Sequence, residues 1–262
     1  MGWRLRLSHG ASRLHLMPDS SLALGGSASK WYHKTMGMRK TQFAEGEHYH
    51  IYNRGVDKRL VFNDREDVER FLQCMKEFNV VEPIGSLYEN SFRRDQLGGR
   101  TSKLVAKEEE DMPLVEFIAY CLNPNHYHFV LKQIAERGIE KIMQRIGTGH
   151  TMFFNNKYER SGALFQGKFK AVHIDSNEYL LHVSSYVNLN DHVHQLGGSA
   201  SKLVRSSWEE YSYKGIKGIC EKEIILGQFR NRDEYKKFAL SSLESIKQRK
   251  EELEDIQDFL LE

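Results

Sequence analysis

Two apolar stretches joined by a tight turn constrain this chain more than any other feature. Residues 114–121 (Leu-Val-Glu-Phe-Ile-Ala-Tyr-Cys) and 126–131 (His-Tyr-His-Phe-Val-Leu) are rich in aromatic and aliphatic residues, which suits strands. Asn123-Pro124-Asn125 between them is a turn signal. The stretch predicts an antiparallel hairpin with histidines near the start of its second strand. Side chains two apart on a strand share a face, so His126 and His128 stand side by side.

The flanking segments extend this hairpin into a fold. Residues 48–56 (HYHIYNRGV) read as a strand closed by Asn53-Arg54-Gly55. Asn63-Asp64-Arg65-Glu66 reads as a helix N-cap, and Val68, Phe71, Leu72, Met75 and Phe78 follow at helical spacing. Beyond the hairpin, residues 139–155 predict a second helix and 163–174 a fourth strand kinked at Gly167. Asp175 and Ser176 cap a third helix over residues 177–189. The order β-α-β-β-α-β is the split βαβ pattern. The expected fold is α+β: a ferredoxin-like antiparallel sheet with helices on one face, plus a C-terminal helical extension. The expected boundaries are a poorly ordered basic extension over 1–40, a main domain over 41–195 with an inserted loop at 82–112, and a loop and helical extension over 196–262.

Charge bounds the partners. The chain of 262 residues has a net charge of +2. Residues 1–40 hold seven Lys/Arg and one Asp; the remainder holds 31 Lys/Arg and 35 Asp/Glu, a net of −4. Nucleic acid would therefore have to be met by a local basic patch. No window is apolar enough to span a membrane and no export-type apolar run opens the chain, so a cytoplasmic protein without a membrane partner is expected. Cys74, Cys121 and Cys220 are then reduced thiols, too far apart to form a CxxC metal pair.

Chemistry enters with the third helix. Tyr186 and Asn190, four apart, would share one helix face. A divalent ion could take His126, His128 and the Asn190 amide oxygen as ligands, leaving positions for phosphate oxygens or water. Tyr186 could then attack phosphorus, giving a 5′-phosphotyrosine and a free 3′-OH. Rival residues exist. His48 and His50 read as packed strand residues, and His192 and His194 as loop residues. Tyr179, seven before Tyr186, is the alternative nucleophile but has Val183 four residues on. Arg145, Lys157, Arg160, Lys168 and Lys170 are interleaved with aromatics, which suits a single strand whose bases stack and whose phosphates pair with cations. Lys157, Arg160 and Lys168 are the favoured contacts among them.

Taken together, these motifs resemble the HUH single-tyrosine transposases, in particular the REP-associated tyrosine transposases. The resemblance is carried by His50 with Asn53-Arg54-Gly55, by residues 121–128 (CLNPNHYH), by residues 162–171 (GALFQGKFKA) and by residues 186–190 (YVNLN), and it covers about 46–195. It implies cleavage and joining of single-stranded, hairpin-forming DNA with Mg²⁺ or Mn²⁺. Tyr186 would be the nucleophile, His126, His128 and Asn190 the metal ligands, and Arg54, Lys157, Arg160, Lys168 and Lys170 the DNA contacts. Monomer and homodimer stay open. One departure is Asp191 after Asn190, where the family commonly has Asn-Pro. Two alternatives remain: an inactive hairpin-binding protein of the same fold, and a His-pair metal hydrolase without a covalent intermediate. A protein–DNA adduct separates them from the transposase.

A repeat stands outside this pattern. Residues 96–105 (QLGGRTSKLV) nearly equal residues 195–204 (QLGGSASKLV), and residues 24–30 (LGGSASK) are a shorter copy. The spacing is not that of a solenoid, so the copies read as insertions. Codon choice permits CCAGCTTGG and CCAAGCTGG, which are reverse complements, inside both longer copies. The peptide can therefore be a translated inverted repeat; the alternative is a duplicated linker.

Overall fold

The computed structural model describes residues 41–85, 87, 112–193 and 202–259, with side chains up to residue 248. The extension expected at 1–40, most of the 82–112 loop, His194 and most of the repeat copies lie outside the described residues.

Five strands form one sheet: β1 (His48–Arg54), β2 (Val115–Asn123), β3 (His126–Gln133), β4 (Lys170–Ile174) and β5 (Arg205–Ser206). Their order is β4-β1-β3-β2-β5, and every pairing is antiparallel. The first four strands in that order make the expected split βαβ sheet, and β5 adds an edge beyond β2. β4 is shorter than the pattern suggested. Residues 163–169 pair with the sheet through the Gly55–Phe165 bridge, and are tied to β1 by the Gln166 N–H donating to the Arg54 carbonyl at 2.8 Å and Asn53 Nδ2 donating to the Gly167 carbonyl at 3.2 Å. Gly167 turns the chain there at φ +66, a conformation that favours glycine.

The first helix, α1 (Arg65–Glu77), begins with a capping box. Asp64 accepts from the Asp67 N–H at 3.1 Å and the Asp67 carboxylate accepts from the Asp64 N–H at 3.3 Å. Its Phe71 ring lies 5.5 Å from Tyr127 and 6.3 Å from Phe129. α2 (Gly138–Lys157) buries Ile139, Ile142, Met143 and Ile146. A Cβ at Gly138 would meet the Leu114 carbonyl oxygen at 2.1 Å, so only glycine lets α2 start so close to β2. Both crossover helices thus lie on the face of Tyr127 and Phe129, as expected. α3 (Asn177–Asn188) lies across the opposite face, where Tyr186 meets His50 and His128. Helical periodicity alone gave no signal for that side.

The C-terminal extension packs on α3 and β2. It contains α4 (Asn190–Val193), α5 (Trp208–Ser212), α6 (Glu223–Leu226) and α7 (Arg232–Phe259). Tyr211 donates to the Ile118 carbonyl at 2.6 Å, and Asn188 donates to the Tyr235 hydroxyl at 2.7 Å. Among the described residues no helix is long and apolar enough to cross a membrane.

His150 of α2 is fully buried between the rings of Phe62 and Phe71, at 5.2 and 5.0 Å, with Nε2 2.8 Å from the Val61 carbonyl. Burial pushes its pKa down to about 4, against 6.5 ordinarily. The unfolded chain therefore takes up the proton first, and stability falls as the pH drops below about 6.5. From pH 6.5 to 5 this site should cost about 2 kcal/mol. Urea unfolding of wild type against His150→Leu over that range should show the flatter pH dependence in the variant; parallel curves would remove the assignment.

Candidate active site

The site is assembled around the turn between β2 and β3. The Pro124 carbonyl accepts from the Val61 and Phe62 N–H groups at 2.8 and 3.0 Å. The Asn125 carbonyl accepts from the Gly55 N–H at 2.8 Å. A Cβ at Gly55 would lie 2.1 Å from the Arg59 carbonyl oxygen, so this approach requires glycine. The Asn-Arg-Gly end of β1 and the segment after it therefore clamp the turn from which His126 and His128 leave.

The proton positions at His126 follow from its partners. Asn125 Nδ2 donates to the Lys58 carbonyl at 3.3 Å, which turns Asn125 Oδ1 toward His126 Nδ1 at 2.6 Å. Nδ1 therefore carries the hydrogen and Nε2 the lone pair. That Nε2 lies 3.1 Å from Asn190 Oδ1, so two acceptors face each other with no proton between them. Asn123 Nδ2 supplies the missing donor, 2.7 Å from Asn190 Oδ1 and 2.9 Å from His126 Nε2. Asn123 and Asn190 are both fully buried. The Asn123 amide is oriented in turn by Cys121 Sγ, which donates to its Oδ1 at 3.6 Å.

This arrangement fits a cation. Neighbouring ligands of an octahedral ion at about 2.1 Å stand roughly 3 Å apart, close to the separation of His126 Nε2 and Asn190 Oδ1. The His128 ring is 5.3 Å from that of His126. Among the described residues no group of three His, Cys, Asp or Glu could hold a metal, so a metal at this place needs the amide. The candidate ligands are His126, His128 and Asn190.

His128 Nδ1 lies 2.9 Å from His50 Nε2. His50 is buried, and burial alone pushes its pKa down to about 4. A neutral His50 shares a single proton with His128 in that bond. Tyr52 stacks on His128 at 5.6 Å, and burial raises its phenol. Tyr186 stands edge-on to His128 at 5.5 Å and to His50 at 5.9 Å. The rival Tyr179 is buried, and desolvation pushes it up to about 12, which disfavours its phenolate.

Two sequence expectations need correction. Tyr186 and Asn190 are not on one continuous helix: α3 ends at Asn188, Leu189 has φ −113 and ψ 21, and Asn190 opens α4. The break delivers the Asn190 side chain to His126, a direction set by the Asn123 bond. Lys157, expected among solvated or DNA-facing cations, is held in ion pairs. Its ammonium lies 2.7 Å from Asp64, 2.8 Å from Glu66 and 3.0 Å from the buried Asp67. Desolvation lowers its pKa, but these carboxylates more than offset that and hold it above the ordinary lysine range.

The other expected DNA contacts divide between the two faces. Arg54 pairs across the ladder with His126, and Lys170 with Tyr52, so both share the histidine face. Lys170 lies 5.9 Å from the Tyr52 ring centre, and Arg54 Nε donates to Gln166 Oε1. Arg160 donates to Asn155 Oδ1 and the Ala163 carbonyl, closing the end of α2. Lys168 lines a cavity of about 550 Å³ between α2 and residues 163–169, which Asn53 and Tyr127 reach from the opposite face of the sheet. Sequence reasoning missed Asn123 and Tyr52 as neighbours of the histidines; His50 is the packed strand residue expected, bonded to His128. Asn123 read as a turn residue; its place in the same alternation as His126 was the available signal.

A split βαβ sheet with an imidazole pair on one face and a phenol laid over it defines a candidate phosphoryl-transfer site. Residues 86–190 match the model of the family described as "Transposase IS200 like", a match that ends on Asn190. Over these residues the chain is similar to IS200-like transposases, the class its separated motifs implied. Among solved structures it is similar to one titled "Structure of the REP associates tyrosine transposase bound to a REP hairpin", with 11% identity, a TM-score of 0.45, and coverage of 70% of this chain and 90% of that one. No curated protein matches the chain.

Asn123→Ala removes the donor that orients both Asn190 and His126. Mn²⁺ binding, followed by the EPR signal of the free ion, should weaken about ten-fold while the circular dichroism spectrum is kept. Unchanged affinity would remove Asn123 from the site.

Proposed function

We propose that the protein is a metal-dependent nickase and strand transferase for single-stranded, hairpin-forming DNA, with Tyr186 as the nucleophile. The observation that carries this reading is the Tyr186 ring, edge-on 5.5 Å from that of His128, whose strand neighbour His126 has its Nε2 3.1 Å from Asn190 Oδ1. His126, His128 and Asn190 would hold Mg²⁺ or Mn²⁺. Bound there, the ion supplies polarisation of the phosphodiester and neutralises charge in the transition state. The Tyr186 oxygen, once it has lost its proton, forms a bond to phosphorus as the bond to the 3′-oxygen breaks. The leaving oxygen takes up a proton and becomes a free 3′-OH, while the 5′-phosphate stays on Tyr186. That 3′-OH can attack a phosphotyrosine on another strand, so joining needs no energy cofactor. Arg54 and Lys170 share a face with the histidines and would meet the backbone of the strand. The hairpin itself is inferred from the motif resemblance.

Hairpin oligonucleotides incubated with the protein and Mn²⁺ should give a covalent adduct on a denaturing gel. Tyr186→Phe should abolish it and Tyr179→Phe should not. Product without any adduct would favour the hydrolase reading, and binding without product the inactive-binder reading.

Lysines 157 and 170 should separate stability from binding. Lys157→Met leaves the buried Asp67 carboxylate without its cation and should cost about 2 kcal/mol of stability, since Asp64 and Glu66 stay in water's reach. Its folded form should bind DNA as wild type does. Lys170→Ala should keep its stability and lower the slope of log affinity against log salt by about one. The opposite assignment of losses would reverse the two roles.

A further inference from the structure

The eleven-residue repeat is the one sequence feature that neither the fold nor the site absorbs. The two longer copies lie, in sequence, between described elements. The second copy, residues 194–204, fills the whole span between α4, which ends at Val193, and β5, which begins at Arg205. The first, residues 95–105, lies in sequence between α1 and β2. Connections tolerate added chain at small cost. Eleven codons are thirty-three nucleotides, which also keep the reading frame.

The two halves of each copy are related through the genetic code. Written GAC-CAG-CTT-GGA-GGT, residues 95–99 have the reverse complement ACC-TCC-AAG-CTG-GTC, which reads as residues 101–105. Written CAC-CAG-CTT-GGA-GGC, residues 194–198 have the reverse complement GCC-TCC-AAG-CTG-GTG, which reads as residues 200–204. Five codons therefore form each arm, and the sixth, Arg100 or Ser199, is a three-nucleotide loop. Residues 24–26 and 28–30 obey the same relation over three codons.

The differences between the copies decide between a duplicated peptide and a DNA palindrome. Asp95 becomes His194, opposite a valine in both copies: GAC pairs with GTC and CAC with GTG, both valine codons. Thr101 becomes Ala200, opposite a glycine in both copies: ACC pairs with GGT and GCC with GGC, both glycine codons. The remaining change, Arg100 to Ser199, sits in the loop, where pairing asks nothing. A duplicated linker has no reason to confine its changes in this way. A stem does, because each change in one arm must be matched in the other.

From this pattern we infer that the repeat is a translated DNA palindrome and that its stem–loop is a ligand of the protein's own site. The inference rests on the hairpin-DNA function proposed above. It gives the ligand a sequence: a fifteen-base-pair stem built on ACCAGCTTGGAGG, the part common to both longer copies. The protein would then recognise DNA that has entered its own gene.

Two measurements test this. The coding DNA should use codons that pair along both arms; synonymous codons that break the stem would overturn the inference. The full-length protein with Mg²⁺ should bind a fluorescent thirty-three-nucleotide hairpin of this sequence at least about ten-fold more tightly than a hairpin of equal stem length, loop length and composition but unrelated sequence. Equal binding overturns the inference. It does so even if an unrelated hairpin still forms the Tyr186 adduct, in which case the proposed function stands. Preferred binding of this stem with no adduct on any hairpin supports the inference and removes the catalytic reading.

Discussion

The register of β1 against β3 is the constraint on which the rest depends. Side chains alternate across a strand, so a slip of one residue would exchange the two faces completely. In the observed register Tyr52 opposes His128 and Arg54 opposes His126, while Ile51 opposes Phe129 and Asn53 opposes Tyr127. One set makes the imidazole face and the other receives α1 and α2. The register is held from both sides. Fully buried Ile51 and Phe129 cannot be exchanged for histidines without loss of the core. At the turn, Gly55 bonds to Asn125 and the Pro124 carbonyl is closed by Val61 and Phe62. The residues that make the core therefore also fix which nitrogen of His126 faces Asn190.

A second layer holds the tyrosine over this face. α3 carries Tyr186 on the sheet side, and the C-terminal extension backs it. Asn188, two residues after Tyr186, donates to Tyr235 and accepts from Ser207 Oγ, which also accepts from the Tyr120 N–H at 2.9 Å. His182 packs on Phe238 at 5.1 Å, and Tyr211 is tied to β2 through the Ile118 carbonyl. The end of α3 is thus fixed to the sheet through buried polar bonds. Such bonds are costly to leave unmade, so the phenol has little freedom to swing away from His128. The extension reads from sequence as a loosely patterned appendage; in the fold it sets the position of the proposed nucleophile.

The sequence showed what depends on local pattern and was silent on what depends on a partner far along the chain. The Asn-Pro-Asn hairpin, a helix N-cap within residues 63–66 and the apolar stripe of α1 are each written within a few residues and appear in the structure, the cap being Asp64 with Asp67 as its reciprocal acid. The strand order follows from the order of the elements. Lys157 shows the limit. Among aromatics and cations it reads as a nucleic-acid contact, but the carboxylates that claim it lie ninety or more residues earlier, at the start of α1. Asn123 shows it from the other side: a turn residue in the sequence becomes a donor only because α4 brings Asn190 to it, sixty-seven residues later. The break at Leu189, too, is invisible in a helical pattern that continues through it.

The charge of the candidate metal ligands bears on what the site can do. Two imidazoles and a carboxamide are all neutral, so a divalent ion held by them would keep both its positive charges. A carboxylate in place of Asn190 would strengthen the hold on the metal and cancel half the field that the phosphodiester feels. The hydrogen-bond partners named for these ligands are neutral as well. Asn123 and Asn125 complete the polar network with amides, and His50 is kept neutral by burial. The carboxylates near α1 are balanced separately by Lys157, away from the imidazole face. A neutral set binds a hard cation weakly by itself, and a phosphate oxygen would supply the missing negative ligand. Metal and strand would then bind together, each raising the affinity of the other, and the ion would sit firmly only when there is a phosphodiester for it to act on.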